Sequence, residues 1–175
     1  LMIKVDNDLT VKLLQDMVRI PSINPDLVPG AMGERDMAKY ICDLMRSWGL
    51  ESIDRELAPG RHNAIGILRG TGGGHTLLFN GHMDTVSITG MSEPFSGDVR
   101  DGKLYGRGAS DMKGALAACI CGAAYAHQDR LLRNTVLVSA SVNEEQIEGL
   151  AFADVLAAYQ PARVVICEST DLKLN

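Results

Sequence analysis

Four short segments of this 175-residue chain each end an apolar run with side chains able to hold a metal ion or move a proton. They are Leu77-Leu78-Phe79-Asn80-Gly81-His82-Met83-Asp84, Gly106-Arg107-Gly108-Ala109-Ser110-Asp111, Ser141-Val142-Asn143-Glu144-Glu145 and Val164-Val165-Ile166-Cys167-Glu168. His82 and Asp84 are two residues apart, so on extended backbone they point to the same side. A carboxylate beside an imidazole can accept the proton of one ring nitrogen, fix the tautomer and aim the other nitrogen at a metal. Glu144 and Glu145 are neighbours and diverge, so one carboxylate can bind metal while the other faces a bound water. Asp111 precedes a helix pattern, and its two oxygens could bridge two ions.

Taken singly, each residue has a plainer explanation. Asp111 reads as a helix N-cap, and Glu144 and Glu145 as acids favouring the first turn of the next helix. Glu168 reads as a surface acid, Asp84 as a turn former and His82 as a hydrogen-bonded histidine. The joint placement is what points to chemistry, and so does charge. Asp84, Asp111, Glu144, Glu145 and Glu168 would bring five negative charges into one pocket. Like charges 4 Å apart repel by about 4 kcal/mol per pair at an effective dielectric of about 20. Either cations sit among them or some carboxyls are protonated. Two divalent ions would offset four of the five charges, and a nitrogen and oxygen donor set without thiolate suits zinc, with cobalt or manganese next.

Something must carry these residues to one place. Leu9, Leu13, Leu14, Met17 and Val18 recur at helical spacing, with Asp8 as the N-cap and a stop at Ile20-Pro21. Residues 21–30 hold three prolines and form a loop. A second helix is expected over Glu34–Trp48, stopped by Gly49. Residues 63–69 read as a strand, 70–74 as a glycine turn, and 76–80 as a strand buried on both faces. Asp98–Arg100 and Lys103–Tyr105 form a hairpin around Asp101-Gly102. A small-residue helix with six alanines follows over 112–127, then a strand at 135–142, a helix at 148–159 and a strand at 163–167. This alternation predicts an α/β three-layer sandwich with a mixed, mostly parallel sheet. In such sheets ligand sites lie outside the carboxyl ends of the strands. Three of the four segments follow such an end, although 29 positions separate His82 from Asp111 and 33 separate Asp111 from Glu144.

Composition narrows the function classes. Hydrophobic residues make up 46% and charged residues 22%, which is globular composition. Seventeen basic against 22 acidic residues give a net charge of −5, which argues against nucleic acid as a partner. The longest apolar stretch, Leu116–Ala126, is too short to span a bilayer, and no secretory signal is read at the N-terminus, so no membrane partner is expected. Four cysteines, Cys42, Cys119, Cys121 and Cys167, do not make a disulfide framework and fit reduced thiols in a cytoplasmic protein. Cys119 and Cys121 read as small packing residues, and His62 and His75 have no evident partner. The glycine turn is no dinucleotide fingerprint, and neither a phosphate loop nor a serine nucleophile elbow is present.

The stretches FNGHMDTV, YGRGASDMKGALAA, NEE and CEST resemble the successive motifs of the dinuclear zinc peptidase and deacylase family. That family holds acetylornithine deacetylase, succinyl-diaminopimelate desuccinylase, glutamate carboxypeptidases and aminoacylases. The resemblance runs from about residue 8 to 172 and is nearest to the deacetylase and desuccinylase branch. It implies that His82 and Glu168 bind one zinc, Asp111 bridges two zincs, and Glu145 binds the second. It further implies that Asp84 orients His82, that Glu144 is the general base, and that the Asp111–Met112 peptide is cis. The implied activity is hydrolysis of an amide bond in an N-acyl amino acid or small peptide, by an enzyme that is a homodimer at full length. An aminopeptidase or dipeptidase of the same family, or a non-catalytic metal-binding fragment, are the alternatives. Two departures stand out. Glu168-Ser169-Thr170 replaces the Glu-Pro-Thr common in relatives, and members are roughly twice as long. Residues 1–175 are therefore expected to be the N-terminal portion of a catalytic domain, without the lid and dimerisation domain or the C-terminal part of the catalytic domain. Such a piece is expected to hold one ion better than the second and to hydrolyse weakly alone.

Overall fold

The apolar period near the N-terminus forms α1, Asn7–Arg19, which buries Leu13, Met17 and Val18. Its N-cap is Asp6, whose Oδ1 accepts from the Leu9 N–H at 3.1 Å. Asp8, the expected cap, instead lies inside the first turn, where its charge faces the positive end of the helix. The helix stops at Ile20, which is extended ahead of Pro21 as a pre-proline residue must be. The second helix, α2, spans Arg35–Ser47 and buries Met37, Ala38, Ile41, Cys42 and Met45. Gly49 ends it at φ +77°, the left-handed conformation that glycine adopts without penalty. The computed structural model describes residues 6–128, 132–146 and 149–169.

Strand β1, Glu51–Ala58, was not anticipated from the sequence. Five of its eight residues are charged or hydroxylated, and none is fully buried. It is an edge strand, antiparallel to β2, Arg61–Leu68. The remaining elements follow the expected alternation: β3 (Leu77–His82), β4 (Val99–Arg100), β5 (Lys103–Leu104), α3 (Gly114–Gln128), β6 (Val136–Ser141), α4 (Leu150–Tyr159) and β7 (Arg163–Ile166). The β4–β5 hairpin turns at Asp101 and Gly102, both at positive φ, as a two-residue primed turn requires. Helix α3 starts two residues later than expected, because Ala109–Lys113 form a separate kinked π-type turn. Residues 147–148, including the first position of the expected helix over 148–159, lie outside the described residues.

The five-stranded sheet has the order β1-β2-β6-β3-β7. The β1–β2 and β2–β6 pairs are antiparallel, and the β6–β3 and β3–β7 pairs are parallel. Four strands therefore run one way and β2 alone opposes them. The sheet is mixed and mostly parallel, and helices cover both faces. On one face α1, α2 and α3 bring Leu13, Met17, Ile41, Met45, Leu116 and Ile120 against Ala64, Leu68, Val138 and Ala140. On the other, Val155 of α4 joins Ile65, Ile67, Leu78 and Leu137. Alternate residues of β2 thus serve opposite layers, as strand geometry dictates. A Cβ at Gly66 would come 2.4 Å from the Met45 sulfur, so glycine lets α2 lie close on the sheet.

The parallel trio β6, β3 and β7 sets up the site. His82 closes β3 opposite Ser141, which closes β6. Ile166 closes β7 opposite Asn80. The chain leaving these strands carries Glu144, Glu145 and Glu168 to the same rim as His82. Strand β7 is the far edge, and Val164, Val165 and Ile166 are 38%, 42% and 57% exposed.

Candidate metal centre

The side chain of His82 is buried, and its two ring nitrogens face different worlds. Nδ1 lies 2.9 Å from the Asp84 carbonyl oxygen and 3.5 Å from the Asp84 carboxylate. The nearer acceptor is therefore the backbone oxygen, whereas the His-x-Asp spacing predicts the carboxylate. Either acceptor holds the proton on Nδ1 and leaves Nε2 to face the rim. Around Nε2 stand Asp111 Oδ1 at 3.0 Å, Glu144 Oε2 at 3.6 Å and Glu168 Oε1 at 3.7 Å. Two trios have the spacing to hold an ion, His82 with Asp111 and Glu145 or His82 with Glu144 and Glu168, and because both use the His82 ring they are alternative arrangements rather than two sites. Within each trio the ligand atoms lie within 4.8 Å of one another. The structure thus brings together His82, Asp111, Glu144, Glu145 and Glu168, with Asp84 directly behind them. Glu144 and Glu145 diverge into different trios, as neighbours should.

Burial pulls the His82 imidazole down, but hydrogen bonding and charge from Asp84, with charge from Glu144 and Glu168, outweigh it and raise the pKa to about 10. A proton and a metal ion compete for the same Nε2 lone pair. Burial pushes Glu145 up, helped by the charges of Asp111, Asp84 and Glu144 and opposed by His82. Burial likewise raises Glu168, with Glu144 and Asp111 adding to it and His82 opposing. Crowded carboxylates that resist ionising together are the signature of a site built around added positive charge.

Asp84 has a larger task than orienting the ring. Its Oδ1 accepts from the Glu144 N–H at 3.0 Å, and its Oδ2 accepts from the Glu145 N–H at 3.2 Å and Asn24 Nδ2 at 2.8 Å. Burial works against its charge, yet His82 and the two backbone donors hold the carboxyl below its ordinary range. Asp84 therefore grips the backbone that carries the glutamate pair, just past Asn143 at φ +57°.

Several supporting residues gave no usable sequence signal. Asn24 is fully buried in the proline-rich loop. Its Nδ2 donates to Asp84 and to Asn143 Oδ1 at 2.9 Å, and its Oδ1 accepts from the Asp26 N–H at 3.0 Å and Arg61 at 3.3 Å. Arg61 in turn donates to buried Glu34 at 2.8 Å. Asparagine among prolines reads as a turn former, so only the fold reveals its reach. Lys113 is also buried, and its ammonium donates to the Met17 and Ile20 carbonyls at 3.1 and 3.0 Å. That anchors the turn bearing Asp111 on the carbonyl end of α1, although burial lowers the lysine to about 7. The Asp111–Met112 peptide is cis, as the motif resemblance implies. Ser169, in the position where the resembled motif often has proline, donates to the Ser110 carbonyl at 2.8 Å and ties the Glu168 loop to the Asp111 turn. His62, for which the sequence offered no partner, pairs with Asp54 at 2.7 Å on the β1–β2 hairpin, away from the cluster.

The donor set fits a divalent cation. It offers one imidazole nitrogen and several carboxylate oxygens, with no thiolate in either trio. Among the described residues, no lysine or arginine pairs with Asp111, Glu144, Glu145 or Glu168.

Comparison with known proteins agrees. Residues 78–175 match the family described as peptidase family M20/M25/M40. The chain is 36% identical over 129 residues to the succinyl-diaminopimelate desuccinylase of Methylobacterium radiotolerans, covering 70% of this chain and 31% of the relative. It is 36% identical over 139 residues to the desuccinylase of Gluconacetobacter diazotrophicus, covering 76% and 34%. The chain thus spans about a third of the length of these curated relatives. Among solved structures, an M20 family metallo-carboxypeptidase from Sulfolobus solfataricus superposes with a TM-score of 0.78 at 21% identity, over 94% of this chain and 38% of that one. Human carnosine dipeptidase 1 superposes with a TM-score of 0.74 at 20% identity, over 93% and 38%. These structures share the fold. The family match covers more than half of the chain and takes in every residue at the His82 rim, so the chain belongs to peptidase family M20/M25/M40.

Proposed function

We propose that this chain builds the metal centre of a zinc-dependent hydrolase that cleaves the amide bond of an N-acyl amino acid, as the desuccinylase relatives are named for doing. The observation that carries the reading is the gathering of carboxylates from three separate segments around one buried imidazole nitrogen. His82 and Glu168 would hold one ion, Asp111 would be shared, and Glu145 would hold the second. Zinc, or cobalt or manganese in its place, supplies polarisation of the scissile carbonyl and acidifies water when bound. The protein's own work is to orient and to move protons. His82 is aimed by the contacts at Nδ1, and Asp84 fixes the backbone of Glu144 and Glu145. Glu144, which is half exposed, takes the proton of the attacking water and delivers it to the departing amine.

The test is Glu144→Gln. Metal content by inductively coupled plasma should match the parent chain while hydrolysis of N-succinyl-diaminopimelate or N-acetylornithine disappears. Faster cleavage of free dipeptides than of either acyl substrate would redirect the reading to a dipeptidase. The ligand count favours one further reading. On the assignment the motif resemblance implies, one ion would have His82, Asp111 and Glu168 as protein ligands and the other Asp111 and Glu145, although the side chains as placed group Glu145 with His82 and Asp111, and Glu168 with His82 and Glu144. This stretch by itself would then capture one ion tightly and turn over little. Metal retained without turnover on any of these substrates supports that version.

A further inference from the structure

We infer that Cys119 and Cys167 form an oxidisable dithiol site that closes to an intramolecular disulfide when a peroxide reaches it. The two sulfurs lie 3.4 Å apart although 48 residues separate them in sequence. Cys119 stands on α3, and Cys167 directly follows β7, one residue before Glu168. Both are partly exposed, whereas Cys42 and Cys121 are buried. Cys119 also lines a surface groove with Leu77, Phe79, Gly122 and Ala126, through which a small oxidant can approach. A disulfide needs its sulfurs about 2.05 Å apart. The pair must therefore close by a little over 1 Å, within reach of side-chain rotation. Sequence spacing identifies Cys119 and Cys121 as packing residues, which holds for Cys121 and misses the partner that the fold brings to Cys119.

The chemistry balances with hydrogen peroxide as the oxidant. One thiolate attacks a peroxide oxygen, the O–O bond breaks, and a sulfenic acid forms as the departing hydroxide becomes water. The partner sulfur attacks the sulfenic sulfur, the S–O bond breaks, and a second water leaves with the partner's proton. Two thiols and one peroxide become one disulfide and two waters, a two-electron oxidation of the pair matched by reduction of the peroxide.

The bond would join two segments that serve the metal centre. Cys167 is the backbone neighbour of Glu168, and α3 runs on directly from the turn that bears Asp111. Tethering Glu168 should slow loss of a bound ion, because a ligand held in place costs less to keep ordered. Disulfide formation is independent of the metal reading, whereas this effect on the ion rests on it.

The reduced chain is treated with stoichiometric hydrogen peroxide, alkylated under denaturing conditions and weighed. Two of its four cysteines should resist alkylation, and a peptide map should link the segments holding Cys119 and Cys167. Cys121→Ser should behave as the parent does. Cys119→Ser should form no such link and leave Cys167 as a sulfenic acid trapped by dimedone. Four alkylatable thiols after treatment, or a bond between two chains, would overturn the site. In zinc-loaded protein, chelator stripping should have a several-fold longer half-time in the oxidised form, and equal half-times would overturn the tether. Failure to bind zinc in the reduced form would count against the metal reading and leave the mapped disulfide standing.

Discussion

Replacing Asp84 by asparagine should weaken the fold and the metal centre together. The Asp84 carboxylate is fully buried and accepts three hydrogen bonds: from Glu144 N–H on Oδ1, and from Glu145 N–H and Asn24 Nδ2 on Oδ2. An amide has a single acceptor oxygen. If that oxygen takes the place of Oδ2, the new NH2 faces the Glu144 N–H, donor against donor at a spacing of 3.0 Å. The opposite orientation sets the NH2 against two donors and is worse. Asn24 cannot flip to help, because its own oxygen already serves Asp26 and Arg61. One charge-assisted bond is lost and one buried donor is stranded, a cost of about 2–4 kcal/mol. A domain of this size loses roughly 2–4 °C per kcal/mol, so Tm should fall by roughly 4–16 °C. Zinc affinity should fall about 10–100-fold, the usual cost of losing a residue that supports metal ligands. The pH behaviour adds a signature. The folded pKa of Asp84 is depressed, so its stabilisation is present above the unfolded value and lost as pH falls through the folded one. Asp84→Asn should lack that acid-side loss. Scanning fluorimetry and competition against a fluorescent zinc chelator measure both effects. A variant with parental Tm and parental zinc affinity would refute the reasoning.

Three further outcomes follow from the same geometry. Lys113→Met removes the ammonium donor from the Met17 and Ile20 carbonyls, of which Met17 keeps only the Ile20 N–H at 3.3 Å, so Tm should drop and zinc affinity weaken as the Asp111 turn loosens, by about 1–3 kcal/mol in chemical denaturation. Glu34 is fully buried, and desolvation outweighs Arg61 to raise it from 4.5 to about 7. A raised carboxyl gives stability that is fully present below the unfolded value and lost as pH rises through the folded one. Denaturation midpoints should therefore decline between about pH 4.5 and 7, by up to about 3 kcal/mol, and Glu34→Gln should flatten that decline. Zinc at about 100 times its dissociation constant should stabilise the parent by about 2.7 kcal/mol, and His82→Ala should abolish the resulting rise in Tm.

In the site's first ring of residues, His82, Glu144, Glu145 and Glu168 were readable because they stand at or just past the ends of the parallel strands β3, β6 and β7, whereas Asp111 comes to the rim on the turn between the β4–β5 hairpin and α3. The helices were equally readable from their apolar period, since α1 and α2 each bury one face. Strand β1 escaped because an edge strand need bury little, so Glu51–Ala58 carries no apolar alternation to detect. The contacts behind the ring were hidden for a different reason. Asn24 lies 60 residues before Asp84, which it holds, and Glu34 lies 27 residues before Arg61, through which it reaches Asn24, while Lys113 supports the Asp111 turn by reaching back 96 residues to the Met17 carbonyl. Nothing local distinguishes a buried asparagine from one that caps a turn. Even Asp84 was only half readable: its spacing from His82 pointed to the ring, while its main hold is on the backbone at 144–145, which only tertiary pairing reveals.

The exposure of the rim is lopsided, and in the proposed metal centre this would govern how ions arrive. The imidazole is 1% exposed, while the side chains of Asp111, Glu144 and Glu168 are 61%, 47% and 35% exposed. A cation entering the proposed site would therefore meet hydrated carboxylates before it reached nitrogen. The outer acids act as an antenna whose pull extends only about 8 Å at physiological ionic strength. Capture of ions should thus slow with added salt, whereas the grip at nitrogen, sheltered from the bulk, should scarcely change.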